Sequence, residues 1–212
     1  MKLASFLFFL AAITQSASAM AIIDGEFTSW DFSSTGVGTG YVIRDAGDGN
    51  PAPRIYIYTD ATTNAFMMAT AIKADSSFNL PIADQQFSLS LDVLSGSLAF
   101  GEGQAIWLLL RQNGTIYANY LGVTGYPHYF DTVTFTDTFA ESNFFRLTDS
   151  GPLSPDLSGA TATQFGFGAG NFISRTDHYY DNFRLNIVPE PAVVGLLIGG
   201  SVFLATGRRR NP

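Results

Sequence analysis

Trp107-Leu108-Leu109-Leu110-Arg111-Gln112-Asn113-Gly114-Thr115-Ile116-Tyr117-Ala118-Asn119-Tyr120 sets two apolar, β-prone runs on either side of Asn-Gly. That pair suits a type I′ turn, whose two central residues both need φ > 0. A two-residue loop fixes the register of the strands it joins. Gln112 then pairs with Thr115, and counting back puts Arg111 opposite Ile116, Leu109 opposite Ala118 and Trp107 opposite Tyr120 on one face. The other face holds Ile106, Leu108 and Leu110 against Leu121, Asn119 and Tyr117. Both faces are apolar, which predicts a hairpin central in its sheet with the leucine face turned to the core.

Outward from the hairpin the same period of two recurs. Arg54-Ile55-Tyr56-Ile57-Tyr58, Phe87 to Val93 and Thr132 to Phe139 alternate as half-buried strands do. Gly, Asn, Asp and Pro gather between them, as in Asp45 to Pro51 and Asp149 to Pro152. Ala61 to Ala74 reads as a further strand, and Gly101-Glu102-Gly103 and Gly166 to Gly170 as bulges or turns. Many short strands and no amphipathic helix predict an all-β protein, a jelly-roll-type β-sandwich over residues 20–187.

The two ends have a different character. Lys2, the apolar run Leu3 to Ile13 and Ala17-Ser18-Ala19 follow the pattern of a signal peptide over residues 1–19, with Met20 the first mature residue. Near the other end, Val188-Pro189-Glu190-Pro191 precedes the uncharged run Ala192 to Thr206 and then Gly207-Arg208-Arg209-Arg210. Closely spaced prolines remove donors and fix φ, which separates a tail, residues 188–212, from the domain. The run is shorter than the ~20 residues of a comfortable span, but snorkelling arginines extend its reach. This predicts a transmembrane helix over 192–206 with the arginines in the cytoplasm. With Lys2 and the terminal arginines set aside, seven of the 11 basic residues face all 18 acidic ones. Such a surface repels nucleic acid. The chain has no cysteine, so neither disulfides nor thiolate metal sites contribute.

The order Pro-Glu-Pro, apolar helix, arginine cluster resembles the PEP-CTERM sorting signal of exported bacterial proteins. The resemblance implies recognition of Val188, Pro189, Glu190 and Pro191 by an exosortase-type transpeptidase, with Arg208, Arg209 and Arg210 as the stop signal. It also implies a Gram-negative host that makes exopolysaccharide, an inner-membrane precursor, and then a place on the cell surface or in the extracellular matrix. Asp24-Gly25-Glu26-Phe27-Thr28-Ser29-Trp30 and Tyr179-Tyr180-Asp181-Asn182-Phe183-Arg184-Leu185 are similar to the opening and closing strands of galactose-binding-like and carbohydrate-binding jelly rolls. In those folds the first and last strands lie side by side, and acidic groups from both often hold a structural calcium ion. Asp181 matches the closing Asp. The opening Glu after Phe is Thr28 here, which leaves Asp24 and Glu26 as the other candidate ligands.

Sugars stack their C–H faces on aromatic rings while charged and amide groups hold their hydroxyls. Trp107, Tyr120 and Arg111, on one face of the hairpin, are therefore candidate glycan-binding residues, with Tyr56 and Tyr58 a weaker case. Enzyme signals are sparse. His128 and His178 have no zinc-motif spacing, no G-x-S-x-G elbow is present, and no pair of carboxylates at strand spacing suggests glycoside hydrolysis. The expectation is a non-catalytic protein that binds or organises exopolysaccharide in a biofilm-like matrix. A secreted glycan-active enzyme and a ligand-free structural component are the alternatives.

Overall fold

The structure is a computed structural model of the chain, and it describes residues 19–47, 53–61, 65–96, 103–125, 127–172 and 175–188. Residues 1–18 of the expected signal peptide, and the tail from Pro189 through the 192–206 run to Arg208, Arg209 and Arg210, lie outside the described residues. No helix among the described residues is long and apolar enough to cross a membrane.

The fold is an all-β sandwich of two sheets. Its strands are β1 (Met20–Asp24), β2 (Trp30–Gly36), β3 (Thr39–Asp45), β4 (Arg54–Asp60), β5 (Met67–Lys73), β6 (Gln86–Ser95), β7 (Ala105–Gln112), β8 (Thr115–Val123), β9 (Asp131–Thr138), β10 (Phe145–Arg146), β11 (Gln164–Asn171) and β12 (Arg175–Val188). A three-residue 3-10 turn, Glu141–Asn143, is the one helical element among the described residues. The first sheet runs β3-β4-β12-β6-β9 with β1 also on β12, and the second runs β10-β8-β7-β11-β5-β2. The chain passes repeatedly from one sheet to the other. Its first and last strands pair antiparallel, Met20 opposite Ile187, as jelly-roll sandwiches arrange them. Val188, read from the sequence as the first residue of the tail, is instead the last residue of β12, opposite Gln86.

The hairpin β7–β8 has the expected register from Gln112↔Thr115 back to Trp107↔Tyr120. Asn113 and Gly114 take φ of 49° and 82°, as a type I′ turn requires. The register slips one residue further on. Ile106 faces Gly122, not Leu121, because a β-bulge adds a residue to β8. Ile106, Leu108 and Leu110 enter the main core with Ile55, Ile57, Leu89, Leu91, Phe165, Phe167, Phe183 and Leu185. Trp107 and Leu109 lie on the outer face of the second sheet, in a smaller cluster with Met68, Ile72 and Ala118.

Gly166 to Gly170, expected as bulges or turns between strands, is the middle of β11, paired with β5 and β7 on either side. Here glycine serves close packing rather than a turn. A Cβ on Gly168 would lie 2.6 Å from Met68 Sδ, so the bare backbone is what lets Met68 lie across the sheet. At one end of the sandwich the buried Gln104 ties the sheets together. It accepts from the Tyr180 hydroxyl at 2.7 Å and donates to Thr176 Oγ1 at 3.0 Å.

Candidate ligand-binding face

Trp107, Arg111 and Tyr120 do share a face, but they do not form an open platform. Trp107 is 2% exposed, packed edge-on to Phe66 at 5.2 Å and tilted against Tyr120 at 5.7 Å. A sugar cannot stack on a ring already covered by other rings. Arg111 is turned away, donating from Nε to Gln164 Oε1 at 2.7 Å and from Nη1 to Asp31 Oδ2 at 2.6 Å. Of the three, Tyr120 alone is open, at 51% exposure.

The outer face of the first sheet presents a different surface. Alternation along β3, β4 and β12 turns Tyr41, Tyr56, Tyr58 and Tyr179 to the same side, and the pairings Tyr41↔Tyr58 and Tyr56↔Tyr179 place them in adjacent rows. Tyr41 stacks on Tyr58 with centroids 4.9 Å apart and planes at 15°. Tyr56 lies 6.1 Å from Tyr41 and 4.9 Å from Tyr179, so the four rings form one continuous group. Tyr41 is 40% exposed, Tyr56 and Tyr179 are half-buried and Tyr58 is the most covered.

Charged groups frame the rings. The Arg54 guanidinium lies 3.8 Å from the Tyr179 centroid and is held in place by Asp45 at 3.2 Å, while Arg175 lies over Tyr58 at 5.1 Å. Such cation–π contacts orient ring and cation together. The Tyr58 hydroxyl donates to Asp60 Oδ2 at 3.3 Å and the Tyr56 hydroxyl to Asp177 Oδ2 at 2.8 Å. Burial, and then the Asp177 carboxylate, push the Tyr56 hydroxyl above the ordinary phenol range, so it remains a donor. Asp177 Oδ1 is buried and has no hydrogen-bond partner.

The proposed calcium ligands do not fit an ion. Lys73 Nζ sits 2.5 Å from Asp24 Oδ2, the Trp30 indole donates to the same oxygen at 3.1 Å, and the backbone N–H groups of Glu26 and Phe27 both donate to Oδ1 at 2.9 Å. A carboxylate satisfied by a lysine and three N–H donors has no lone pair directed at a cation. Glu26 points to solvent, and Asp181 is fully buried in the β12 bulge with Oδ1 accepting the Asn182 N–H at 2.7 Å. No group of three metal-ligating side chains occurs among the described residues.

No protein-family model matches the chain, and no curated protein sequence matches it. Solved structures of similar fold include a family 11 carbohydrate-binding module from a cellulosomal cellulase of Clostridium thermocellum. It is 16% identical over 80% of this chain and 95% of that one, with a TM-score of 0.47. A family 11 module from the same organism in complex with a β-1,3-1,4-mixed-linked tetrasaccharide is 17% identical over 80% and 96%, with a TM-score of 0.48. A cyclase from Fischerella sp. TAU is 13% identical over 82% and 100%, with a TM-score of 0.45.

Tyr56 and Tyr58 carried the weaker signal in the sequence, yet they lie at the centre of the open face. Tyr41 and Tyr179 come from strands about 15 and 120 residues away in the chain, and only the pairing of β3 and β12 with β4 brings them in. The readable clue was parity. In Arg54, Tyr56 and Tyr58, and again in Arg175, Asp177 and Tyr179, one strand face alternates aromatic and charged groups.

Proposed function

We propose that this is an exported, non-catalytic glycan-binding protein whose ligand lies on the tyrosine face of the first sheet. One observation carries the reading: Tyr41, Tyr56, Tyr58 and Tyr179 form a contiguous, partly open ring surface framed by Arg54, Arg175, Asp60 and Asp177. Phenol rings supply flat apolar area for pyranose C–H faces, and their hydroxyls and the flanking charges supply the donors and acceptors that sugar hydroxyls require. Arg54 is already paired with Asp45, so the face favours an uncharged polymer over a polyanion. The termini complete the proposal. Residues 1–19 direct export, and Val188 to Arg210 address the protein, through an exosortase-type transpeptidase, to the cell surface or the exopolysaccharide matrix.

Binding of the protein to the host's exopolysaccharide, measured by calorimetry or affinity electrophoresis, tests this. Tyr41→Ala and Tyr179→Ala should each weaken binding about tenfold, the equivalent of ~1.4 kcal/mol for a lost stacking surface. Trp107, being covered, is not part of the contact. Saturable binding that survives Tyr41→Ala with Tyr179→Ala in one chain overturns the site. No binding to any host polysaccharide leaves a structural matrix component as the better account.

A further inference from the structure

Among the described residues three buried side-chain atoms have no hydrogen-bond partner, Ser95 Oγ, Asp177 Oδ1 and His178 Nδ1, and all three lie where β6 and β12 pair at one end of the first sheet. Buried polar groups are nearly always paired, so orphans gathered at one place call for an account. His178 is 1% exposed, its Nε2–H faces the Gly125 carbonyl oxygen at 3.4 Å and its ring lies 6.2 Å from that of Tyr180. Nδ1 then carries the lone pair, and Ser95 Oγ, on the residue opposite, does not reach it. A proton added there would put a charge in the core with one N–H unanswered. The groups around the ring do not balance such a charge. They are Thr176 and Tyr180 on β12, Ile57 opposite on β4, Ser95 opposite on β6, and Gly125. The Tyr180 hydroxyl is spent on Gln104, and burial pushes it well up, so it stays neutral. The Asp177 carboxylate is on the other face of β12, bonded to the Tyr56 hydroxyl, and His128 is exposed. Burial accordingly holds the His178 imidazole below its ordinary range, against the weaker pull of the Gly125 carbonyl and of Asp177.

We propose that His178 is an acid-sensitive latch on this end of the sandwich. Neutral, its ring fills the space between β12, β6 and Gly125. Charged, it has to reach water, and it cannot do so without parting the contacts around it. These include the Ser95 N–H, which donates to the Pro127 carbonyl at 3.0 Å, and the Gly96 N–H, which donates to the Asp177 carbonyl at 2.9 Å. An imidazole released from the core takes up a proton near pH ~6.5, and the buried one only at lower pH. Closure is therefore fully favoured above that value and weakens as pH falls through it. The window lies above the ordinary carboxylate range, so it is separate from acid effects on aspartates. Asp177 and Tyr179, on either side of His178 in β12, belong to the tyrosine face, and opening the latch disorders that face as well. This last consequence rests on the glycan reading, whereas the latch does not.

Hydrogen exchange of the full chain in mild detergent tests this, read as protection factors so that the pH dependence of the chemical step is removed. Between pH 7.5 and 5.0 the amides of residues 93–96 and 175–180 should lose about tenfold in protection, while those of the β7–β8 hairpin change by less than about threefold. The chain has two histidines, which supplies the control. His178→Leu should abolish the loss and His128→Gln should keep it. His178→Gln, uncharged and closer in shape, serves if the leucine chain does not fold. No loss in the parent, a loss that persists in the His178 variant, or an equal loss in the hairpin overturns the proposal. No glycan is present, so failure here leaves the glycan reading intact, and failure of glycan binding leaves the latch intact.

Discussion

Asp24 shows how one side chain can look like a ligand and act as a clasp. Burial pushes its carboxyl up, but Lys73, the Trp30 indole and the backbone N–H groups of Glu26 and Phe27 outweigh that and hold it below the ordinary carboxylate range. A folded-state pKa lower than the unfolded one stabilises the protein above the unfolded value, ~3.9, and the stabilisation fades as pH falls through the folded value. Asp24→Asn should therefore cost about 2–3 kcal/mol at neutral pH by urea unfolding, and the gap to the parent should begin to narrow only below about pH 4. The clasp also holds Phe27, a bulky residue at φ 47°, in a conformation that only a well-tied loop retains. At the opposite end of the sandwich, Gln104→Leu leaves the fully buried Tyr180 hydroxyl without its acceptor. It should cost about 2–4 kcal/mol in the same measurement while leaving glycan binding by any residual folded protein unchanged.

Among the elements, the β7–β8 hairpin was the most legible, because a two-residue Asn-Gly turn fixes register by geometry alone. Gly114 has positive φ, and a Cβ there would meet nothing within 4 Å, so Gly114→Ala isolates the backbone cost. The expected loss is about 1–2 kcal/mol in chemical denaturation with no change in ligand affinity. The bulge at Leu121 was missed although Gly122, a glycine inside the strand at φ 148°, is the local sign of one. β11 was not legible. Gly-Phe-Gly-Ala-Gly has the composition of a turn, and the clearance that Gly168 provides becomes visible only once Met68 from β5 lies against it. Gly168→Leu should thus fail to accumulate as soluble protein, whereas Gly114→Ala should not.

At the scale of the whole molecule, alternation and turn chemistry predicted the two-sheet architecture, and paired termini agreed with the resemblance of the end segments. The tyrosine face was hidden because pairing partners far apart in sequence assemble it. Trp107 looked like a stacking plate because its strand neighbours, but not Phe66 and Phe172, could be read from the hairpin. Stacking on tyrosine predicts weak dependence on salt. Glycan affinity should change less than about twofold between 50 and 500 mM NaCl, whereas contact with a polyanion would fall steeply.

Tyr179 and Val188 belong to one strand, β12, which bulges between Asp181 and Arg184 and is bonded on one side to β4 and β1 and on the other to β6. A pull between a ligand at Tyr179 and the residues beyond Val188 acts along that strand's axis. Its inter-strand hydrogen bonds on either side of the bulge are then loaded in shear instead of being peeled open singly. The geometry makes β12 a tendon, and a protein carrying tension between a polymer and an anchor would yield there last.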